Sequence, residues 1–181
     1  VPESRSQEAV NLRGYVRDIP DFPRPGIVFK DITPLLLDPR ALEVAVSRLE
    51  RFARELEVDY VVAAEARGFI LGGALARALH AGFVPARKPG KLPHETVSAE
   101  YTLEYGLDAL EVHADAMAGG ARVLIHDDLL ATGGTAAAVA DLVTKLGAEI
   151  VACVFLVELS FLGGRERLAP HPVHSLIDYD S

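Results

Sequence analysis

The chain has 181 residues, 50% of them hydrophobic and 24% charged, with a formal net charge of −8. That size and balance fit one globular domain with a sizeable core. The acidic charge argues against a nucleic-acid binder, and the lone Cys153 excludes an intramolecular disulfide. No apolar run reaches transmembrane length and the stretch Val1-Pro-Glu-Ser-Arg-Ser lacks a signal-peptide core, so the expectation is a cytoplasmic protein with no membrane partner.

In chain order, residues 10–16 predict a short helix, and the Pro- and Gly-punctuated residues 19–34 predict a break in regular structure. Leu42, Ala45, Val46, Leu49, Phe52, Ala53 and Leu56 recur at helical spacing and give the clearest amphipathic helix. Residues 60–64 read as a buried strand. Leu71, Ala74, Leu75, Ala78 and Leu79 follow as a helix packed on one face, and residues 83–86 as another short strand. Residues 90–106 carry no clean period and predict a mobile hairpin or long loop. The continuous apolar run of residues 150–157 is a strand covered on both faces, with Cys153 as buried filler. This βαβ rhythm predicts an α/β fold, a mostly parallel sheet flanked by helices, in a single domain.

The most informative stretch is Arg122-Val-Leu-Ile-His-Asp-Asp-Leu-Leu-Ala-Thr-Gly-Gly-Thr135. Residues 122–125 predict a strand, and from Ala136 the apolar spacing turns helical. Between them, backbone N–H groups, the Thr132 and Thr135 hydroxyls and a helix N-terminus suit a phosphate. Gly133 and Gly134 permit positive φ and close approach. Asp127 and Asp128 suit a polyhydroxylated ring, because ionised carboxylates accept the hydrogen bonds that hydroxyls donate. Glycines alone would read as a turn, and aspartates alone as a solvated strand edge or helix caps. Their joint placement points to a ligand site at the carboxyl end of a strand. No Lys follows the glycines as in a Walker loop, and the G-x-G-x-x-G spacing is absent.

Residues 123–135 resemble the phosphoribosyl-pyrophosphate motif of the type I phosphoribosyltransferases. Phe22-Pro-Arg-Pro-Gly-Ile-Val-Phe-Lys-Asp-Ile-Thr-Pro34, Glu65-Ala-Arg-Gly-Phe69, Arg87-Lys-Pro-Gly-Lys-Leu-Pro93 and Leu103-Glu-Tyr-Gly106 are similar, in the same order, to the adenine-using branch of that family. The resemblance covers nearly the whole chain. It implies a type I phosphoribosyltransferase-like fold with an N-terminal hood at about residues 8–34 and a flexible lid loop at about residues 90–107. The implied reaction joins adenine to the 5-phosphoribosyl group of phosphoribosyl pyrophosphate, giving AMP and pyrophosphate. Magnesium would arrive on the pyrophosphate, with no protein-held metal.

By the same resemblance, Ala131, Thr132, Gly133, Gly134 and Thr135 hold the 5-phosphate, and Asp127 and Asp128 bind the ribose. Arg67, at the pyrophosphate loop, contacts the leaving group. Arg87, Lys88 and Lys91, on their own a solvated patch, reach toward pyrophosphate and imply a homodimer. Glu104 and Tyr105 form the lid, with Glu104 near the ribose or base. Phe29 stacks on adenine while backbone groups of Val28 and Lys30 read its edge, and Leu129 covers the base. Two positions depart from the family pattern. Lys30 stands where many relatives carry Arg, so a planar fork becomes a point charge. His126 stands where an aliphatic residue is usual; it either titrates beside the acidic pair or is a structurally satisfied histidine. His171-Pro-Val-His174 has the look of a metal pair but no obvious third ligand. The competing readings are transfer to another purine such as xanthine, and a non-catalytic nucleotide-sensing regulator of the same fold.

Overall fold

The computed structural model describes residues 10–103 and 106–181. Two compact units divide the chain, Val1–Arg48 and Leu49–Ser181.

In the first unit, residues 10–16 form only a 3₁₀ turn, Leu12–Tyr15, rather than a helix. Gly14 in its middle is a poor helix former. Residues 19–34 are more regular than their punctuation predicts. Strands β1 (Arg17–Pro20) and β2 (Val28–Asp31) pair antiparallel, and helix α1 (Thr33–Leu37) follows. Four-residue strands are too short to show a period, and the Pro/Gly signal belongs to their connection. There Gly26, at φ +85°, donates its N–H to Asp21 Oδ1 at 2.7 Å, and Phe22 N–H donates to the Ile27 carbonyl at 3.3 Å. Helix α2 (Pro39–Ala53) is the amphipathic helix expected from the sequence and runs into the second unit.

The second unit continues with β3 (Tyr60–Ala64), α3 (Gly68–Ala78) and β4 (Gly82–Ala86). The antiparallel pair β5 (Thr96–Leu103) and β6 (Gly106–His113) follows, so the aperiodic segment of residues 90–106 supplies the first strand of a hairpin whose second strand lies beyond it. Then come β7 (Arg122–Leu130), α4 (Gly134–Lys145), β8 (Glu149–Leu159), the short α5 (Gly164–Arg167) and β9 (Val173–Tyr179). The main sheet has the order β4-β3-β7-β8-β9, and every adjacent pair is parallel. Alternation along its central strands builds two cores. Val62, Val123, Ile125, Cys153 and Phe155 join α4 and the hairpin on one face. Val61, Leu124, Ala152 and Val154 meet Leu49, Ala53 and Leu75 on the other. Burial pushes the Cys153 thiol up to about 12, as befits core filler.

Two boundaries correct the sequence reading. Strand β7 does not stop before the aspartates; it pairs with β8 through Asp127↔Phe155 to Leu130↔Glu158. The apolar Leu129-Leu130 carries the strand on past two residues of low strand propensity. Strand β9 was not anticipated. It lies at the sheet edge, where only Ile177 and Tyr179 are fully buried, so no continuous apolar run marks it.

Candidate active site

Renumbered within the sheet, the strand order is 2-1-3-4-5, with a topological switch between β3 and β7. After β3 the chain leaves toward β4, and after β7 it leaves toward β8, so the two loops part and open a crevice at the carboxyl ends of the strands. A cavity of about 180 Å³ lies there, lined by Arg67 from the loop after β3 and by Asp127, Asp128, Leu129 and residues 130–136 from β7 and its loop.

The loop residues Ala131 to Thr135 lead directly into α4. Gly133 takes φ +79° and is the N-cap of the helix without a side-chain cap bond. The first turn of a helix has N–H groups with no carbonyl four residues back, and the macrodipole adds positive potential. With Thr132 and Thr135 beside them, these groups have the chemistry that suits an anion.

Asp128 is 3% exposed, and its Oδ2, 3.2 Å from Arg67 Nε, makes no hydrogen bond among the described residues. Asp127 Oδ1 accepts the Asp128 N–H at 2.9 Å. A Cβ on Gly68 would lie 2.8 Å from that same oxygen, so the start of α3 requires glycine for this approach. Burial, reinforced by the neighbouring Asp128 charge, raises Asp127 well above the usual carboxylate range. Burial also raises Asp128, with the Arg67 guanidinium opposing it. Asp128 Oδ2 is thus a buried acceptor with room for a further donor.

His126 is a buried core histidine. Its Nδ1 lies 3.0 Å from the Val154 carbonyl, its Nε2 is buried without a partner, and burial lowers it to about 4. It is therefore neutral at physiological pH, and the titrating alternative does not hold. His174 lies flat against Phe52 with ring centroids 4.2 Å apart. Among the described residues no group of three potential ligands gathers around it or elsewhere.

Arg87 and Lys88, after β4, are engaged by carboxylates. Arg87 Nε donates to Glu65 Oε2 at 2.9 Å, and the Lys88 N–H donates to Glu65 Oε1 at 3.0 Å. Lys88 Nζ pairs with Asp108 Oδ2 at 3.0 Å, and the Lys91 carbonyl accepts from Arg87 Nη1 at 3.2 Å. Glu65 thereby links this segment to the loop bearing Arg67. Sequence reasoning missed the part played by Glu65, and it missed Tyr101. The Tyr101 hydroxyl donates to Asp108 Oδ2 at 3.2 Å, which ties the two strands of the hairpin together through their side chains. A strand assignment for residues 96–103 was the signal needed, since it puts Tyr101 opposite Asp108. Glu104 and Tyr105 lie outside the described residues.

Within the first unit, Ile19, Phe22, Phe29 and Asp31 line a cavity of about 240 Å³. Phe22 meets Phe29 edge-on at 5.2 Å between centroids. Lys30 is buried, with Nζ 2.8 Å from Asp18 Oδ1. Val28 is 47% exposed. Among the described residues strand β2 is paired with β1 in a two-stranded sheet. Val28 and Lys30, two residues apart, turn their backbone groups toward the same edge.

A switch-point crevice that joins a helix start, an adjacent carboxylate pair and an arginine defines a class, and a family model agrees with it. The phosphoribosyl transferase domain matches residues 36–172, and the chain belongs to that family. Its similar proteins narrow the branch to the adenine phosphoribosyltransferases. The enzyme of that name from Thermotoga maritima is 56% identical over 94% of this chain and 98% of its own. The one from Pseudothermotoga lettingae is 52% identical over 94% of this chain and all of its own. The crystal structure of adenine phosphoribosyltransferase from Thermoanaerobacter pseudethanolicus superposes with a TM-score of 0.91 at 51% identity, covering 93% of this chain and 98% of that one. The Saccharomyces cerevisiae enzyme, solved with an imino-altritol bisphosphate and adenine, gives 0.86 at 42% identity over 91% and 95% of the two chains.

Proposed function

We propose that this protein transfers the 5-phosphoribosyl group from phosphoribosyl pyrophosphate to adenine, releasing AMP and pyrophosphate in purine salvage. The single observation that carries the reading is the junction of Asp127–Asp128, Arg67 and the Ala131–Thr135 loop at the sheet's switch point. The names of its relatives supply adenine as the base.

In this reaction N9 of adenine attacks C1 of the donor as the bond from C1 to the pyrophosphate oxygen breaks. Positive charge develops on the ribose ring and negative charge on the leaving group. The loop from Ala131 to Thr135 grips the 5-phosphate through its N–H groups and hydroxyls. Asp127 and Asp128 accept hydrogen bonds from the ribose hydroxyls, and their charge stabilises the cationic ring. Arg67 exchanges part of its contact with Asp128 for the pyrophosphate, joined by Arg87, Lys88 and Lys91. Catalysis is then positioning plus electrostatics, with no covalent nucleophile. Glu104 and Tyr105 close over the reacting centre and exclude water, and Glu104 assists proton movement from the base.

Magnesium would arrive on the pyrophosphate, a hard cation taking phosphate and water oxygens. When bound it neutralises charge on the leaving group. Phe29 stacks on adenine, Val28 and Lys30 backbone groups read N1 and the exocyclic amine, and Leu129 packs on the base. The chain works as a single phosphoribosyltransferase domain, as a homodimer, in the cytoplasm. Among the described residues no helix is long and apolar enough to cross a membrane.

Pyrophosphate release in a mixture of protein, donor and magnesium tests the reading. Release that starts only when adenine is added supports it; release at the same rate without any base makes the protein a hydrolase and overturns it.

A further inference from the structure

The phosphate loop is backed by a part of the chain that the proposed reaction does not use. Helix α5 begins at Gly164, where a Cβ would overlap the Ala131 carbonyl oxygen and lie 3.0 Å from Leu130 Cδ1 and 3.1 Å from the Gly133 nitrogen. In the other direction, a Cβ on Gly133 would lie 2.6 Å from the Gly164 carbonyl oxygen and 3.3 Å from Arg167 Cβ. The two glycines therefore bring backbone against backbone, and the loop has no room to retreat toward α5.

Helix α5 is itself fastened through the next residue. Arg165 donates from Nε to Glu158 Oε1 at 3.0 Å and from Nη2 to Glu158 Oε2 at 2.5 Å, and from Nη1 to the Val173 carbonyl at 2.7 Å. Glu158 is 3% exposed and also accepts from Ser175 Oγ at 2.6 Å. In the β7–β8 register Glu158 stands opposite Leu130, the last strand residue before the loop. A bidentate guanidinium–carboxylate pair fixes orientation as well as distance, and removal of either partner leaves the other poorly compensated. The fastening and the contact surface lie at opposite ends of two adjacent residues, Arg165 and Gly164.

We infer that Glu158, Arg165 and Gly164 form a brace that presets the Ala131–Gly134 backbone for the 5-phosphate of the donor, which makes them positioning residues for donor binding and not for the base. The inference rests on the proposed phosphoribosyl site. A brace of this kind acts on the loop's N–H directions, and displacement by a fraction of an ångström weakens every amide contact to the phosphate together. In the proposed reaction the base is held by Val28, Phe29, Lys30 and Leu129 rather than by this loop backbone, so its own binding is spared.

The test compares wild type with Gly164→Ala, Arg165→Gln and Arg165→Lys by steady-state kinetics in both substrates, AMP binding by calorimetry, and thermal midpoint. Gly164→Ala and Arg165→Gln should raise KM for phosphoribosyl pyrophosphate by about tenfold or more and weaken AMP binding in parallel, with KM for adenine within about twofold of wild type. Arg165→Lys, which keeps the charge and loses the fork, should fall between wild type and Arg165→Gln. If Gly164→Ala does not fold, the graded Arg165 pair carries the same comparison. Unchanged donor KM and AMP affinity in the folded variants would overturn the brace, as would equal losses for donor and adenine that track the thermal midpoint. A wild-type protein that bound neither donor nor AMP would instead overturn the phosphoribosyl site itself, and the brace with it.

Discussion

Arg67 Nε lies 3.2 Å from Asp128 Oδ2, across the two strands that diverge at the sheet's switch point. The guanidinium is the nearest compensation for a buried carboxylate, and it also sits at the mouth of the crevice, where a leaving pyrophosphate would depart. In the proposed reaction this one side chain would serve the ribose half of the site electrostatically and the pyrophosphate half by direct contact.

Arg67→Ala should therefore lower kcat/KM for the donor by about 100-fold or more, a loss of ~3 kcal/mol of transition-state stabilisation. KM for adenine should change little. Steady-state kinetics on Arg67→Ala, Asp128→Asn and the double variant measure the coupling; effects that simply add would contradict the pairing.

The acidic pair predicts a pH dependence with two opposite readouts. Folded pKa values raised above those of the unfolded chain mean that the folded state binds more protons between the two, so stability falls as pH rises through that window. Ionised carboxylates are nevertheless needed to receive the ribose hydroxyls. Asp127→Asn should raise the thermal midpoint of the unliganded protein at neutral pH while lowering kcat by about 100-fold. In the wild type, the acid limb of kcat/KM for the donor should lie above the ordinary carboxylate range. Differential scanning fluorimetry and a pH–rate profile check the two halves.

His126 predicts a slope of the other sign. Its value falls from 6.5 to about 4 on folding because burial disfavours the cation, so the unfolded chain binds the extra proton. Stability should drop as pH falls from 6.5 toward 4 and level off below, by ~3 kcal/mol at most from this group. Urea denaturation of wild type and His126→Leu at pH 7 and pH 4.5 isolates the contribution. An equal loss in both proteins would show that His126 is not its source.

Gly68→Ala tests how tightly the site is built. The new methyl would meet Asp127 Oδ1 at 2.8 Å and must push either the carboxylate or the start of α3 aside. About a tenfold loss in kcat/KM for the donor is expected, with adenine KM unaffected, because misplacement of a ribose contact costs orientation. Donor and adenine titrations at fixed enzyme check it.

Much of this was legible in the sequence for physical reasons that vary by segment. The buried parallel strands Tyr60–Ala64 and Glu149–Leu159 are continuous apolar runs, so length and composition marked them. The turn from β7 into α4 was legible because small residues and a helix start follow in immediate succession. The extent of β7 was not, since Asp127 and Asp128 look like the end of a strand; neighbouring β8 supplies the partners that carry the ladder through them. Hairpin β1–β2 was hidden by the prolines and glycine of its own turn. The engagement of Arg87 by Glu65, and of Tyr101 by Asp108, depends on register between distant segments, which no local pattern encodes.

Base selectivity is the most direct test of the central claim. Adenine, hypoxanthine, guanine and xanthine should be offered together to the protein with phosphoribosyl pyrophosphate and magnesium, and the nucleotide products separated and quantified. In the proposed pocket a backbone carbonyl facing the exocyclic amine and an N–H facing N1 would reject bases with the reversed pattern, so AMP should exceed each other nucleotide by a factor on the order of 10⁴. Predominant formation of another nucleotide, or none at all from a protein that still binds the donor, would contradict the account.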